Sequence, residues 1–231
     1  MTLDPGSDSG GLGPDQAPEW LTRLAKSAVQ MPVPLGLRPP TSGGRPAAIL
    51  ILFGTGPNGP DLLLIERAAE LRKHAGQPAF PGGAIDEADG GPVRAALREA
   101  AEETGVDPDG VLVVGVMPEL YIPRSDFRVT PVLGWWHTPV AVSPGDPGEI
   151  AAVLRVPVTE LANPATRLMI RYPAGLPGPA FRAGGLIIWG FTALLLDRLL
   201  ALGGWQEPWD SGRITALAAD ELPAGWPATP S

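Results

Sequence analysis

The stretch Phe80–Val106, FPGGAIDEADGGPVRAALREAAEETGV, decides the fold of this chain. It predicts a tight glycine turn followed by a helix. Proline is favoured at the first helical position, so Gly91 and Pro92 mark the predicted start of the helix. Gly105 stands where a C-terminal cap is expected. At about 100° per residue, one apolar stripe is expected to pack inward. The stripe consists of Val93, Leu97, Ala100, Ala101 and Thr104.

Three glutamates, Glu99, Glu102 and Glu103, fall on the opposite side of this predicted helix. Like charges one turn apart oppose helix formation by roughly 0.2–0.5 kcal/mol per pair, and Arg98 relieves part of this by pairing with Glu102. One interpretation is a solvated acidic face, as on many surface helices. The other is a site for a hard cation, because Mg²⁺ and Mn²⁺ prefer oxygen ligands and Mg²⁺ typically combines carboxylates with substrate phosphates.

This stretch resembles the Nudix box, which has the form GG…REUXEEXGU with U an apolar residue. The matching residues are Gly82, Gly83, Arg98, Glu99, Ala100, Glu102, Glu103, Gly105 and Val106. One residue more than in the general box separates the glycines from Arg98, and Asp89 replaces the early glutamate of the box. The extra residue is characteristic of one branch of the Nudix hydrolases, the coenzyme A diphosphatases.

The resemblance implies an α/β fold, namely an α/β/α sandwich around a mixed β-sheet. It also implies metal-dependent hydrolysis of the diphosphate of coenzyme A or an acyl-coenzyme A. Glu99, Glu102 and Glu103 would then be ligands of Mg²⁺ or Mn²⁺, and Arg98 would orient the carboxylates. Nudix enzymes often draw a further acidic residue from a loop outside the box, and Glu149 resembles that residue. Either Glu99 or Glu149 would aid deprotonation of water; for Glu149 an ordinary strand-edge position is the alternative.

The segment before the box, LLLIERAAELRKHAGQPAFPGG (62–83), resembles the motif that precedes the box in the same branch. The matching positions are Leu63, Leu64, Arg72, Gly76, Phe80, Pro81, Gly82 and Gly83. Ile65 and Ala68 stand where the motif prefers Thr and Ser, which leaves another nucleoside-diphosphate derivative open as substrate. A non-catalytic Nudix-fold sensor is a further alternative, although retention of all three glutamates speaks against it.

Arg72, Lys73 and His74 form a basic run in a chain that has only 17 Lys and Arg residues. A solvated loop is one interpretation of this run. Because it lies just before the glycine turn, these cations are instead expected near a bound phosphate. The predicted substrate contacts are Arg72, His74, Gln77, Gly82 and Gly83.

The composition narrows the classes of partner. A net charge of −8 argues against non-specific binding to nucleic acid or to an anionic membrane. There is no cysteine, so neither a disulfide framework nor a thiol nucleophile is available. No signal peptide and no membrane-spanning apolar run are visible, so a cytoplasmic protein with a small-molecule substrate is expected.

The chain divides into three predicted parts. Residues 1–45 form a mobile segment with a short amphipathic helix near 18–30. Residues 46–202 form the Nudix domain, which ends in an apolar helix expected to cover the sheet on the face opposite the box helix. Residues 203–231 form a tail rich in Gly, Pro and Trp, which either wraps the domain or makes a homodimer contact.

Overall fold

The computed structural model describes residues 16–69, 76–172, 175–218 and 222. The helices are α1 (Glu19–Val29), α2 (Pro92–Thr104), α3 (Val158–Ala162) and α4 (Gly190–Leu202). The first strands are β1 (Arg45–Gly56), β2 (Gly59–Arg67), β3 (Pro78–Ala79), β4 (Gly82–Ala84), β5 (Val111–Val116) and β6 (Leu120–Ile122). The later strands are β7 (Phe127–Trp136), β8 (Ile150–Pro157), β9 (Arg167–Arg171), β10 (Pro177–Ala183) and β11 (Leu186–Ile188).

The long strand β1 organises the larger, eight-stranded sheet. Along one edge β1 pairs in parallel with β7, from Arg45 opposite Phe127 onwards. Along its other edge it pairs antiparallel with β4 and then with β2. Strands β5 and β6 extend the sheet beyond β7, while β3 and β8 flank β2. The sheet is therefore mixed, and β9, β10 and β11 form a separate antiparallel sheet.

Side chains of β1 alternate between two hydrophobic layers, because successive residues of a strand point to opposite faces. Ala48, Leu50 and Leu52 pack against α2 on one face. Ile51 and Phe53 pack on the other face, in the layer formed by α1, α3 and α4. The predicted α/β/α sandwich around a mixed sheet is confirmed, and α4 covers the face opposite α2 as expected.

The ends of α2 lie where the sequence predicts them. Pro92 is the first helical residue, and Gly105 caps the C-terminus with a left-handed φ of 73°. The buried face overlaps the predicted stripe, since Val93 and Leu97 pack partly buried against the same core, but it also extends to residues outside the stripe. The buried residues are Ala95, Ala96, Ala100, Glu103 and Thr104. The predicted outward position of Glu103 is therefore wrong. Its carboxylate is buried because it accepts a hydrogen bond from the backbone N–H of Gly82 in the glycine turn.

The C-terminal segment packs against the described core. The ring of Trp205 lies 5.2 Å from that of Trp20 and 6.2 Å from that of Phe53, between centroids. Trp209 covers the guanidinium of Arg167 at 4.5 Å. Of the two alternatives for the tail, wrapping the domain therefore applies to this part, whereas Trp226 lies outside the described residues. The division at 46 and 202 stays a prediction.

No helix in the described ranges is long and apolar enough to cross a membrane.

Strand β4 approaches β1 so closely that only glycine fits at its first position. A Cβ built on Gly82 would lie 2.3 Å from the carbonyl oxygen of Ala48 and 2.6 Å from Cα of Ile49. The φ angle of Gly82 is +154°, which other residues rarely adopt. The glycine turn is thus pressed against the centre of the sheet.

Gly82→Ala should destabilise the fold by roughly 3 kcal/mol or more, because the methyl group overlaps the β1 backbone and the positive φ is strained. Thermal unfolding followed by circular dichroism measures the loss. Gly36→Ala is the matched control, since a Cβ there meets nothing within 4 Å. A Gly82→Ala protein that unfolds at the wild-type temperature would contradict the close approach of β4 to β1.

Candidate active site

Glu103 lies in the last turn of α2 with its carboxylate turned toward the glycine turn. The backbone N–H of Gly82 donates a hydrogen bond of 2.9 Å to Glu103 Oε2. Nη1 of Arg67, at the end of β2, lies 3.6 Å from Glu103 Oε1. Only 8% of Glu103 is exposed. Burial raises the pKa of this carboxyl from 4.5 to about 7, even though Gly82 and Arg67 favour the charged form.

Glu99 lies one turn earlier on α2 and faces the second glycine of the turn. A Cβ on Gly83 would come within 2.5 Å of the Glu99 carboxylate, so the absence of a side chain there makes room for it. The side chain of Glu99 is 19% exposed. Its pKa is raised, chiefly by burial, while the hydrogen bond from Arg98 acts in the opposite direction. Each glycine therefore accommodates one carboxylate at β4: Gly82 donates a hydrogen bond to Glu103, and Gly83 leaves space for Glu99.

Arg98 connects the carboxylates of this region. Its Nε and Nη2 donate to Asp89 at 2.8 Å and 3.0 Å, a bidentate pair. Its Nη1 donates to Glu99 at 2.9 Å and to Glu102 at 3.1 Å. Nη2 also donates to the carbonyl oxygen of Ala84 at 3.1 Å. These hydrogen bonds hold Arg98 in one orientation, from which it positions Glu99, and the bond to Asp89 lowers the pKa of that carboxyl.

Glu149 is brought to the same end of α2 by the loop that precedes β8. In that loop the N–H groups of Ser143 and Gly145 donate to the carbonyl oxygens of Thr104 and Glu103, at 3.1 Å and 3.0 Å. The Glu149 carbonyl accepts from Ala68 N–H at 2.8 Å. The Glu149 carboxylate is exposed, and its negative charge contributes to the raised pKa of Glu103.

The acids do not converge into a single cluster. In the part of the chain that the structure describes, no group of three or more His, Cys, Asp or Glu residues is close enough to hold a metal ion. The side chain of Glu102 is 60% exposed and is paired with Arg98. The donor chemistry nevertheless suits a hard cation, since Glu99 and Glu103 are half-buried or buried carboxylates beside a bare glycine backbone. A cation would offset the desolvation that raises both pKa values.

The predicted phosphate-binding loop is only partly described. Arg72, Lys73 and His74 lie outside the described residues. The two ends of the loop meet, because Arg67 N–H donates to the carbonyl oxygen of Gln77 at 3.2 Å and Gly76 N–H donates to that of Arg67 at 3.0 Å. The loop therefore leaves and re-enters the sheet beside Arg67.

Arg67 is a site residue that sequence reasoning missed. It ends the apolar strand β2, and a cation at that position also fits an ordinary strand end. Only the fold shows that its guanidinium faces Glu103. The one feature of the sequence that could have pointed to Arg67 is its position just before the basic run Arg72, Lys73 and His74.

Comparison with known proteins identifies relatives of this chain. The family model for the NUDIX domain matches residues 44–173. A protein of Pectobacterium atrosepticum named uncharacterized Nudix hydrolase NudL is 38% identical over 188 residues, which are 78% of this chain and 91% of that protein. A protein of the same name from Cronobacter sakazakii is 39% identical over 175 residues, which are 71% of this chain and 85% of that protein. A crystal structure of a Nudix hydrolase from M. smegmatis, RenU, is 28% identical, covers 52% of this chain and 75% of its own, and has a TM-score of 0.44.

The metal-free protein should lose stability as the pH rises from about 4.5 to about 7 because of Glu103. Its folded pKa is raised, so the folded state binds the proton more tightly than the unfolded state, and this contribution disappears as the carboxyl ionises. Glu103→Gln keeps an acceptor for Gly82 and removes the charge. At pH 8 with a chelator present, the variant should therefore exceed wild type by up to roughly 2–3 kcal/mol, with little difference at pH 4.5.

Thermal unfolding across this pH range, with Glu207→Gln as the exposed control, checks this prediction. A Glu103→Gln curve that stays parallel to wild type from pH 4.5 to pH 8 would show that the carboxyl of Glu103 is not desolvated.

Proposed function

This chain belongs to the Nudix hydrolase family, and from that premise we propose that it hydrolyses the diphosphate of coenzyme A or of an acyl-coenzyme A. Membership makes the chain a hydrolase of phosphoric anhydrides, and such hydrolases generally need divalent metal ions. The proposed products are a 4′-phosphopantetheine compound and adenosine 3′,5′-bisphosphate. The observation that carries the hydrolytic part of the proposal is the placement of Glu99 and Glu103 against the adjacent glycines Gly83 and Gly82.

The substrate class is supported by two features of the sequence. The glycines and Arg98 are separated by one residue more than in the general box, and segment 62–83 resembles the motif that precedes the box in the coenzyme A branch. Within this longer segment, a 3₁₀ turn at Glu87–Asp89 brings Asp89 to Arg98. The departures from the motif carry less weight than the sequence alone indicates. Ile65 and Ala68 are 1% and 2% exposed, so hydroxyl groups at these positions would face the interior.

Glu99, Glu102 and Glu103 are the proposed ligands of a Mg²⁺ or Mn²⁺ ion, which when bound supplies charge neutralisation at the diphosphate and acidifies a water molecule. Glu99 is held by Arg98, so its carboxylate does not need to reorganise when substrate arrives. The guanidinium of Arg67 balances the charge of Glu103 at the base of the proposed phosphate-binding loop. The roles of Arg72, His74 and Gln77 in binding the substrate phosphates belong to the same proposal.

The reaction itself is attack of a water oxygen on one phosphorus of the diphosphate. A P–O bond forms to this oxygen, the P–O bond to the bridging oxygen breaks, and the proton of the water passes to a carboxylate. Glu99 is one candidate for the acceptor role, because Arg98 holds its carboxylate beside the glycine turn. Glu149 is the second candidate for that role, since its loop is fixed to the end of α2.

Purified protein with Mg²⁺ or Mn²⁺ should release adenosine 3′,5′-bisphosphate from coenzyme A, and excess chelator should abolish the release. Liquid chromatography of a panel of dinucleoside polyphosphates, nucleotide sugars, oxidised nucleotides and coenzyme A derivatives measures the preference. A much faster reaction with another member of the panel would refute the coenzyme A assignment. Absence of turnover with every member, despite nucleotide binding, would favour the regulatory alternative.

Glu103→Gln should lower kcat by about a hundredfold or more, because a carboxylate that works on metal and water is replaced by a neutral amide. The variant is expected to be at least as stable as wild type at pH 8, so loss of turnover could not be attributed to unfolding. Glu207→Gln, which changes an exposed carboxylate far along the chain from the box, is the control and should keep wild-type turnover. Full metal-dependent activity in Glu103→Gln would remove Glu103 from the site.

A further inference from the structure

A cavity of about 260 Å³ lies on the face of the sheet opposite α2, and its lining is almost entirely apolar. Helix α4 supplies one wall through Phe191, Leu194 and Leu195, which are spaced i, i+3 and i+4 and so share one side of the helix. Met31 and Leu120 line other walls. The cavity therefore lies between the helix layer and the edge of the sheet at β6, and it is partly open to solvent.

Two charged residues of α4 also border the cavity, and they differ in their surroundings. Asp197 is paired with the buried guanidinium of Arg167. Arg198 continues the side of Phe191, Leu194 and Leu195 by one further turn. It is exposed, and within the described ranges no hydrogen bond or ion pair holds its guanidinium. The cavity thus has an apolar interior, and the guanidinium of Arg198, unpaired among the described residues, lies at its border.

The size of the cavity restricts what it can hold. Pockets for drug-sized ligands occupy about 300–1,000 Å³, so a whole nucleotide does not fit. A water molecule takes about 30 Å³ in the liquid, and a methylene group is of similar size, so the cavity has room for a chain of roughly eight carbon atoms.

We propose that this cavity binds the aliphatic chain of a medium-length acyl group, with Arg198 at its border donating hydrogen bonds to the oxygen atoms of the acyl head. The same chemistry is present in the acyl part of a thioester substrate and in a free aliphatic carboxylate. The first source rests on the proposed function, whereas the second does not.

Helix α4 is connected to the glycine turn through β3. The hydroxyl of Thr192, next to Phe191, donates a hydrogen bond of 3.0 Å to the carbonyl oxygen of Pro78. Pro78 precedes Gly82 by four residues, which span at most about 14 Å when extended. The first turn of α4 therefore lies close in space to the turn at which the diphosphate is proposed to bind. For a thioester substrate, the pantetheine arm would have to span from this turn to Arg198, which lies six residues, or about 9 Å, further along α4.

Titration calorimetry of the metal-free full chain with butanoate, hexanoate and octanoate tests the proposal. Each added methylene group should raise the affinity about fourfold until the cavity is filled. Leu194→Trp fills the cavity and should lower the octanoate affinity at least tenfold. Arg198→Gln should weaken octanoate severalfold and leave 1-octanol unchanged, because only the charged head loses its partner.

Each control makes the same substitution at an exposed residue away from the cavity. Leu176→Trp alters an exposed leucine at the β9–β10 turn, and Arg213→Gln alters an exposed arginine of the C-terminal segment; both should bind octanoate as wild type does. Thermal unfolding establishes that each variant is folded. Absence of octanoate binding at millimolar concentration, or equal affinities for wild type and Leu194→Trp, would overturn the proposal.

Kinetics with octanoyl-coenzyme A and coenzyme A separate the two sources. If the cavity holds the substrate chain, the ratio of kcat/KM for the two compounds should favour octanoyl-coenzyme A and fall in Leu194→Trp. If octanoate binds but Leu194→Trp leaves the kcat/KM ratio unchanged, the cavity is assigned to a free carboxylate. Since calorimetry needs no turnover, failure to hydrolyse any coenzyme A derivative would refute the proposed function alone.

Discussion

The hydrogen bond from the Gly82 amide to the Glu103 carboxylate is the contact on which the site depends. It fixes the end of α2 to the first residue of β4, and β4 is itself pressed onto the centre of the sheet. The helix can approach this closely because its inner side carries alanines, Ala95, Ala96 and Ala100. A buried acid is therefore placed by the packing of small residues, and it is stabilised by one amide and one distant arginine.

Arginines limit the repulsion among the acids of this region. Arg98 lies between Asp89, Glu99 and Glu102, and Arg67 faces Glu103 from the opposite side. Burial still raises the pKa values of Glu99 and Glu103, so the metal-free site does not fully compensate its charges. Because the negative charge of these carboxylates is not fully balanced, the site favours a ligand that brings positive charge. Carboxylates alone could retain a divalent ion in this way, without cysteine or histidine ligands.

What the sequence predicted was mainly local. Pro92 and Gly105 mark the ends of α2 because both act through their own backbone geometry. The mixed sheet was predicted by resemblance to the family and not by any local pattern. The inward rotation of Glu103 was not predictable from helical periodicity, because its partner Gly82 is reached only through the pairing of β4 with β1. Arg67 and the loop before Glu149 approach the site for the same tertiary reason.

The parallel pairing of β1 with β7 has a consequence for the order of folding. These strands are separated in the chain by the hairpin partner β2, the glycine turn and the whole of α2. A parallel neighbour cannot be reached by a short turn, so the central pair closes only after a long loop has been ordered. High contact order of this kind slows folding. The elements of the candidate site, β4 and α2, lie inside that loop. The ribosome must therefore release β7 before the central sheet, against which α2 packs, can be completed.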